Sequence, residues 1–502
     1  MLHRKIILSG AAIKIYEFKY MLKLTFFTKT AYGVGQMSQG VKDTAFQSFV
    51  VFYFSQVLGM PAIMAGVAAL IALLFDAITD PLMGDISDNW HSKWGRRHPF
   101  MIAAVIPFPI SLYMLFSPPL GLDPQGLFLW LLGWSIVVRI LLTMFNVPHN
   151  ALGAELSQDY QERTKIVSYR TFLGYVGGII LSVVALNSFF KASEKFPNGM
   201  LNVEGYSSLG ALAGIIAFAA MTICILGTKH TIPYLPKAPE NQKKVDLSRS
   251  FKAFAEALKL GPFRIIFTVQ IMTMIAGGAG ATFMLYLGSY FFELSTAEIS
   301  LLTLTIVVGL IPASIIAPVL SKRIDKMPSL VACLLVATAF SFSPIYLRLL
   351  GVLPENGSPL IMPILFATYV VGYSFFIAAG IVIGSMLADI ADLHASNTGK
   401  RQEGLFFAAN SFAQKATFGL GTLFAGIGLD LIAFPKQVDV SMVSEQTIYN
   451  LGLIAGPLPF AIYLLAAFIA TKYDLNKTRH AEISERLSTQ LPAQRTTQKQ
   501  HS

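Results

Sequence analysis

Charge is scarce in this chain. Of its 502 residues only 13% are charged, while 54% are hydrophobic; soluble domains carry about a quarter charged residues. An ordinary soluble domain is excluded on that ground. Cysteine is scarcer still, with Cys224 and Cys333 both lying inside apolar segments, so neither a disulfide framework nor a cysteine metal cluster can be built. The loops lack any histidine–cysteine cluster, nucleophile motif or phosphate-cradling glycine loop, which argues against an enzyme. Positive charge is in surplus, with a formal net charge of +10. It collects in particular loops, however, and forms no patch suited to nucleic acid.

What the chain has instead is apolar runs of about 20 residues, the length that spans roughly 30 Å of hydrocarbon. Twelve spans are expected, beginning near Ala31, Ala62, Phe100, Leu127, Ser168, Ser208, Phe263, Thr296, Ser329, Ile361, Leu405 and Asn450. The fold class is therefore an all-α membrane protein of twelve transmembrane helices. Lys and Arg gather in alternate loops: Lys93, Arg96 and Arg97 after span 2, Arg163 and Lys165 after span 4, Lys322, Arg323 and Lys326 after span 8. Loops after spans 1, 3 and 7 have none, so both termini are expected on the cytoplasmic side.

The longest polar segment, residues 228–262, lies between spans 6 and 7. Its second part, Leu247 to Leu260, sets Phe251, Phe254, Ala255 and Leu258 on one helical face, the pattern of an amphipathic helix at the inner membrane surface. The expected organisation is an N-terminal cytoplasmic segment (1–30, its start at Met1 or Met21), a six-helix bundle (31–227), the middle loop (228–262), a second six-helix bundle (263–472) and a disordered cytoplasmic tail (473–502). Two six-span bundles around a central site are a carrier's architecture.

Charges inside spans need a reason, since each costs roughly 2.5 to 3.5 kcal/mol at the centre of a helix. Asp43, Asp76, Asp80 and Lys415 stand out, with Lys42 as a local partner for Asp43. Asp76 and Asp80 are one turn apart in "LLFDAITDPLMG", about 6 Å between side-chain origins. At an effective dielectric near 20, two negative charges there repel by about 3 kcal/mol. A proton, a bound cation or a protein cation must relieve them, and Lys415, the one charge between Glu403 and Asp430, is the candidate for the third. Carboxylate and hydroxyl oxygens from Asp76, Thr79, Asp80 and, if the helices face each other, Thr143 suit a hard monovalent cation such as sodium. Aromatic residues such as Phe49, Phe52, Tyr53, Tyr369 and Tyr373 are read mainly as packing.

The segments "YGVGQ", "DAITDPLMGDISD" running into "KWGRRHPF", "NVPHNALGAELSQDYQERT" and "MLADIADLHASNTGKRQEGLFFAANSFAQKA" resemble the glycoside-pentoside-hexuronide:cation symporter family. The melibiose carrier is its best-known member, and it belongs to the major facilitator superfamily. The likeness runs from about Tyr32 to Tyr473. It implies cation-coupled sugar uptake, with Asp76, Thr79, Asp80 and Thr143 at the cation site, Lys415 as the coupled lysine, and Asp43, Asn146, Asn150, Arg170, Gln414 and Lys415 as the substrate-binding set. It also implies that Arg170 is linked to sugar binding and that Asp88, Arg96 and Arg97 belong to the inner gate. The family's helix I carboxylate falls on Gly40, with Asp43 one turn on as a replacement. Its helix IV carboxylate and stacking aromatic fall on Asn146 and Asn150, so the substrate differs from melibiose; Lys42 and Arg170 would favour an acidic sugar such as a uronide. Thr79, where sodium users often have Asn, leaves proton coupling open.

The expected protein is a monomeric symporter in the lipid bilayer of the cell membrane, the inner one in a Gram-negative cell. It takes a small-molecule sugar or glycoside with Na+ or H+, and needs no cofactor, no nucleic acid and no chemistry on the substrate. A related carrier of a non-sugar substrate, such as a lysophospholipid, remains the alternative.

Overall fold

The structure is a computed structural model that describes residues 24–157, 159–235, 254–398, 403–483 and 485–486; the Lys415 side chain lies outside the described part. The first half comprises α1 (Phe26–Val34), α2 (Met37–Thr44), α3 (Ala62–Asp88), α4 (His98–Ala104), α5 (Pro107–Leu115), α6 (Pro124–Glu155), α7 (Tyr160–Ser188) and α8 (Val203–Thr228). The second comprises α9 (Gly261–Tyr286), α10 (Thr296–Thr303), α11 (Thr305–Ile324), α12 (Lys326–Leu349), α13 (Ile361–Thr398), α14 (Glu403–Leu431), α15 (Glu445–Ala455) and α16 (Pro457–Ala470). Starts are set by side chains that satisfy free amides of the first turn: Asp123 for α6, Asp159 for α7, Ser444 for α15, and a full capping box of Ser295 with Glu298 for α10.

Among the described residues, ten helical stretches are long and apolar enough to cross a membrane. They match ten of the twelve expected spans; α14 corresponds to the eleventh. The first begins at Phe26 rather than Ala31 and is segmented, passing from α1 and α2 into two π-helical turns, Ala45–Val50 and Tyr53–Val57. The matching rod of the second half, α9, also ends in a π-helical turn, Leu287–Phe291. Such turns carry no hydropathy signature, so the spacing of apolar residues does not announce them; they recur at functional sites.

In its own half α3 packs along α6, and from the other half α14 lies against it. The α3–α14 seam depends on missing side chains: a Cβ on Gly66 would meet the Leu423 Cα at 2.7 Å, and one on Gly426 the Ala62 carbonyl oxygen at 2.5 Å. Small residues let helix backbones approach this closely. The hydrogen bonds recorded between the halves gather at the end away from the termini. There Gln56 donates to the Tyr290 hydroxyl (2.9 Å) and the Pro435 carbonyl (3.0 Å), the Gln437 amide donates to the Gln56 carbonyl (2.9 Å), and Asn187 donates to Ser300 (2.8 Å). Phe52 packs against Tyr286 with ring centroids 4.9 Å apart. Phe49, Phe52 and Tyr53 are fully buried, in keeping with a packing role.

The middle loop is described only in part, and one expectation changes at the tail. Of the amphipathic segment Leu247 to Leu260, only the part from Phe254 is described, helical over 254–257; the rest lies outside the described residues. The tail is not disordered throughout: residues 477–483 form a helix with Ile483 buried and His480 reaching Asp392 (3.2 Å) and Asp389 (3.5 Å) on α13. Polarity alone hid this segment, whose His480 finds its partners far away in sequence. Cys224 and Cys333 are free and buried.

Candidate functional site

Both α3 and α6 start at the end away from the termini and run parallel, so residues 63 apart come side by side. Asp76 lies against Arg139, whose Nη1 is 2.5 Å from Oδ2. One turn on, Thr143 donates its hydroxyl to Asp80 Oδ1 at 2.8 Å. The two i, i+4 pairs therefore form a two-rung ladder at mid-span. Its first rung is buried: Arg139 is 7% exposed and Asp76 12%. Pairing is what makes buried charges tolerable here, since either alone would be strongly disfavoured.

Arg139 was not among the intramembrane charges singled out from the sequence, where it interrupts an otherwise unbroken apolar run. The signal was nonetheless present: Arg139 and Thr143 repeat the four-residue spacing of Asp76 and Asp80. The role of cation for this pair, expected of Lys415, falls for Asp76 to Arg139; the Lys415 side chain lies outside the described residues. The Thr79 hydroxyl donates to the Phe75 carbonyl in its own helix (2.9 Å) and joins neither rung.

Next to this ladder is a second set of polar groups. Lys42 pairs with Asp43 at 2.5 Å, and Gln39 donates to the other oxygen of Asp43 at 2.8 Å. Asn146, one turn below Thr143 on α6, donates to the Gln39 side-chain carbonyl at 3.1 Å. Asn150, a further turn along, accepts from Arg170 on α7 at 2.6 Å. Gln414 is exposed on α14. Asp43 is 37% exposed, whereas Lys42 is 8% exposed, so the carboxylate stays accessible while the ammonium is spent on it. Gln39 is a further polar member that sequence reasoning passed over.

One aromatic ring joins the two sets. Phe46, in the first π-helical turn, has the Arg139 guanidinium 5.3 Å from its centroid and the Lys42 ammonium 6.0 Å away, within or at the limit of cation–π attraction. Gly40 cannot stand for a carboxylate: a Cβ there would run into the Gly174 carbonyl, because α2 crosses α7 backbone to backbone at this point.

At the end bearing the termini, Arg97 pairs with Asp88 and with Glu155 (2.7 Å), donates to Ser87 (2.8 Å), and is joined on Glu155 by Arg96 (2.8 Å). These ties link the end of α3, the following loop and the end of α6 within one half. Glu155, the acceptor they share, was not singled out in the sequence.

Two halves of apolar helices sealed at one end, with polar pairs held at mid-depth, define a multi-pass membrane carrier of the major facilitator type. Residues 31–477 match the model of the family described as "MFS/sugar transport protein", and the chain belongs to that family. It is similar to the "Putative glycoside/cation symporter YagG" of Escherichia coli K12, 24% identical over 94% of this chain and 97% of that protein. It is also similar to the "Isoprimeverose transporter" of Lactiplantibacillus pentosus, 23% identical over 79% and 78%. Among solved structures, the inward open conformation of the xylose transporter XylE from E. coli superposes with a TM-score of 0.59 at 16% identity, covering 89% of this chain and 96% of that one. That last likeness is one of fold alone.

Proposed function

We propose that this protein is a sugar or glycoside symporter that couples uptake to a cation by alternating access. The observation that carries the reading is the contiguity of the carboxylate ladder and the Asp43 cluster across Phe46. A change in charge at Asp76 or Asp80 is felt by Arg139, and Arg139 shares a ring with the lysine that holds Asp43. Binding at one set thereby biases the other, which is the minimum that coupling requires. Lys415, on the facing half, remains the proposed further cation of the ladder.

Asp43, Gln39, Asn146, Asn150 and Arg170 offer carboxylate, amide and guanidinium groups on three neighbouring helices. Such a set suits the hydroxyls of a sugar better than an acyl chain, which favours a sugar over a lysophospholipid. An uncharged sugar is preferred over a uronide, because Lys42 and Arg170, the cations that suggested an acidic substrate, already have partners. With both termini cytoplasmic by the distribution of Lys and Arg, the sealed end is external and the described state faces inward. Asp88, Arg96, Arg97 and Glu155 then brace the floor of one half during rocking between states.

The test is uptake of a panel of neutral sugars, glycosides and uronides into proteoliposomes, with and without sodium and across a pH gradient. A neutral sugar or glycoside should accumulate, and Asp80→Asn should abolish cation-dependent accumulation. Movement of a lysolipid but of no sugar would overturn the substrate class.

A further inference from the structure

The ladder between α3 and α6 has two unlike rungs. Asp80 has a neutral hydroxyl donor in Thr143, while Asp76 has a fixed cation in Arg139. A sodium or lithium ion shared by the two aspartates would need an oxygen of each. It would also stand next to the guanidinium, a like charge at contact distance in a site of low dielectric. The guanidinium does not retreat at no cost: it is packed over Phe46, 7% exposed, and paired with the Asp76 carboxylate. Among the described residues, Asp76 is the acidic partner that Arg139 meets.

We propose that Arg139 is the ion-selectivity determinant of this carrier. Its guanidinium stands on Asp76 where a monovalent metal ion would otherwise bind, and while it is there the site takes up neither sodium nor lithium. The proposal rests on the reading of the chain as a cation-coupled carrier, and it narrows which cations that coupling can use. Arg is suited to the part: it cannot lose its proton in a protein, and its planar group matches a carboxylate.

The experiment uses purified full-length protein in detergent without any sugar, so an error over the substrate leaves its outcome intact. Melting temperature is compared in about 100 mM sodium, lithium or choline chloride; a ligand that binds the folded state well below that concentration raises it measurably. The wild type and Arg139→Lys should melt at the same temperature in all three salts. Arg139→Gln, with the fixed cation taken off Asp76, should gain a sodium-specific rise of about 2 °C or more, and Asp80→Asn placed on top should abolish it. Arg139→Met keeps the stem over Phe46 and replaces Gln should that variant aggregate. A sodium-specific rise in the wild type that Asp80→Asn removes would overturn the proposal, and so would a monodisperse Arg139→Gln or Arg139→Met protein indifferent to sodium.

Discussion

Asp430 caps a helix that is not its own. From the last turn of α14 its Oδ2 accepts the amide hydrogen of Ile63 at 2.8 Å and its Oδ1 that of Ala62 at 3.2 Å, so the second half satisfies the first turn of α3 in the first half. Pro61, at the cap position, makes no side-chain bond of its own.

Removing this cap should loosen the sealed end. A lost cap costs about 1 kcal/mol, equivalent to a roughly fivefold shift toward the open arrangement. Asp430→Ala should raise the rate at which a thiol reagent labels a cysteine introduced at Phe52, a position 1% exposed in the sealed state, by about that factor. An unchanged rate would show that the cap does not hold the halves together.

The pair Asp76–Arg139 should reveal itself by the asymmetry of its loss. Asp76→Asn leaves a buried guanidinium without its counter-charge and should destabilise by about 3 to 5 kcal/mol. Asp76→Asn combined with Arg139→Gln should recover most of that. Denaturant unfolding of the wild type, both single variants and the double variant closes the cycle; additive losses would mean that the two charges do not meet.

Restoring a carboxylate at Gly40 should fail. Because α2 and α7 touch backbone to backbone there, Gly40→Asp has no room for its Cβ and should abolish folded protein on size-exclusion chromatography. Asp43→Asn adds no atom against α7 and changes a partly exposed carboxylate, so, although Lys42 loses its counter-charge, folded protein should survive while uptake is lost.

At the other end, Glu155→Gln should lower the melting temperature more than Asp88→Asn. One oxygen of Glu155 takes three donor groups from Arg96 and Arg97 at 10% exposure, whereas Asp88 is 37% exposed, where an ion pair contributes about 1 kcal/mol or less. Equal shifts would show that Asp88 bears as much of the load.

The spans were legible because lipid demands about twenty apolar residues, whatever else a helix does. The aspartate pair was legible for the converse reason, since a charge in such a run stands out. Arg139 was passed over although it obeys the same rule; its meaning lay in a spacing shared with Thr143 that points to a partner only once α3 and α6 are known to be parallel. Gln39 and Glu155 are ordinary polar residues until a neighbouring helix turns toward them. The π-helical turns around Phe46 and Gln56 reflect how the backbone is wound, which no pattern of side chains records. The helix at 477–483 is held by His480 and Ile483 against elements far back in the chain, so local composition gave it no support.

The glycine seam between α3 and α14 has a further consequence for how the sealed end can part. Where Gly66 and Gly426 bring bare backbone against the facing helix, the two backbones meet with little side chain between them. Separation surrenders contact attraction along the seam, together with hydrogen bonds that include those of Gln56, Asn187 and Asp430. A joint of that kind is tight when shut and smooth to open, with its resistance gathered in a few bonds rather than spread along its length.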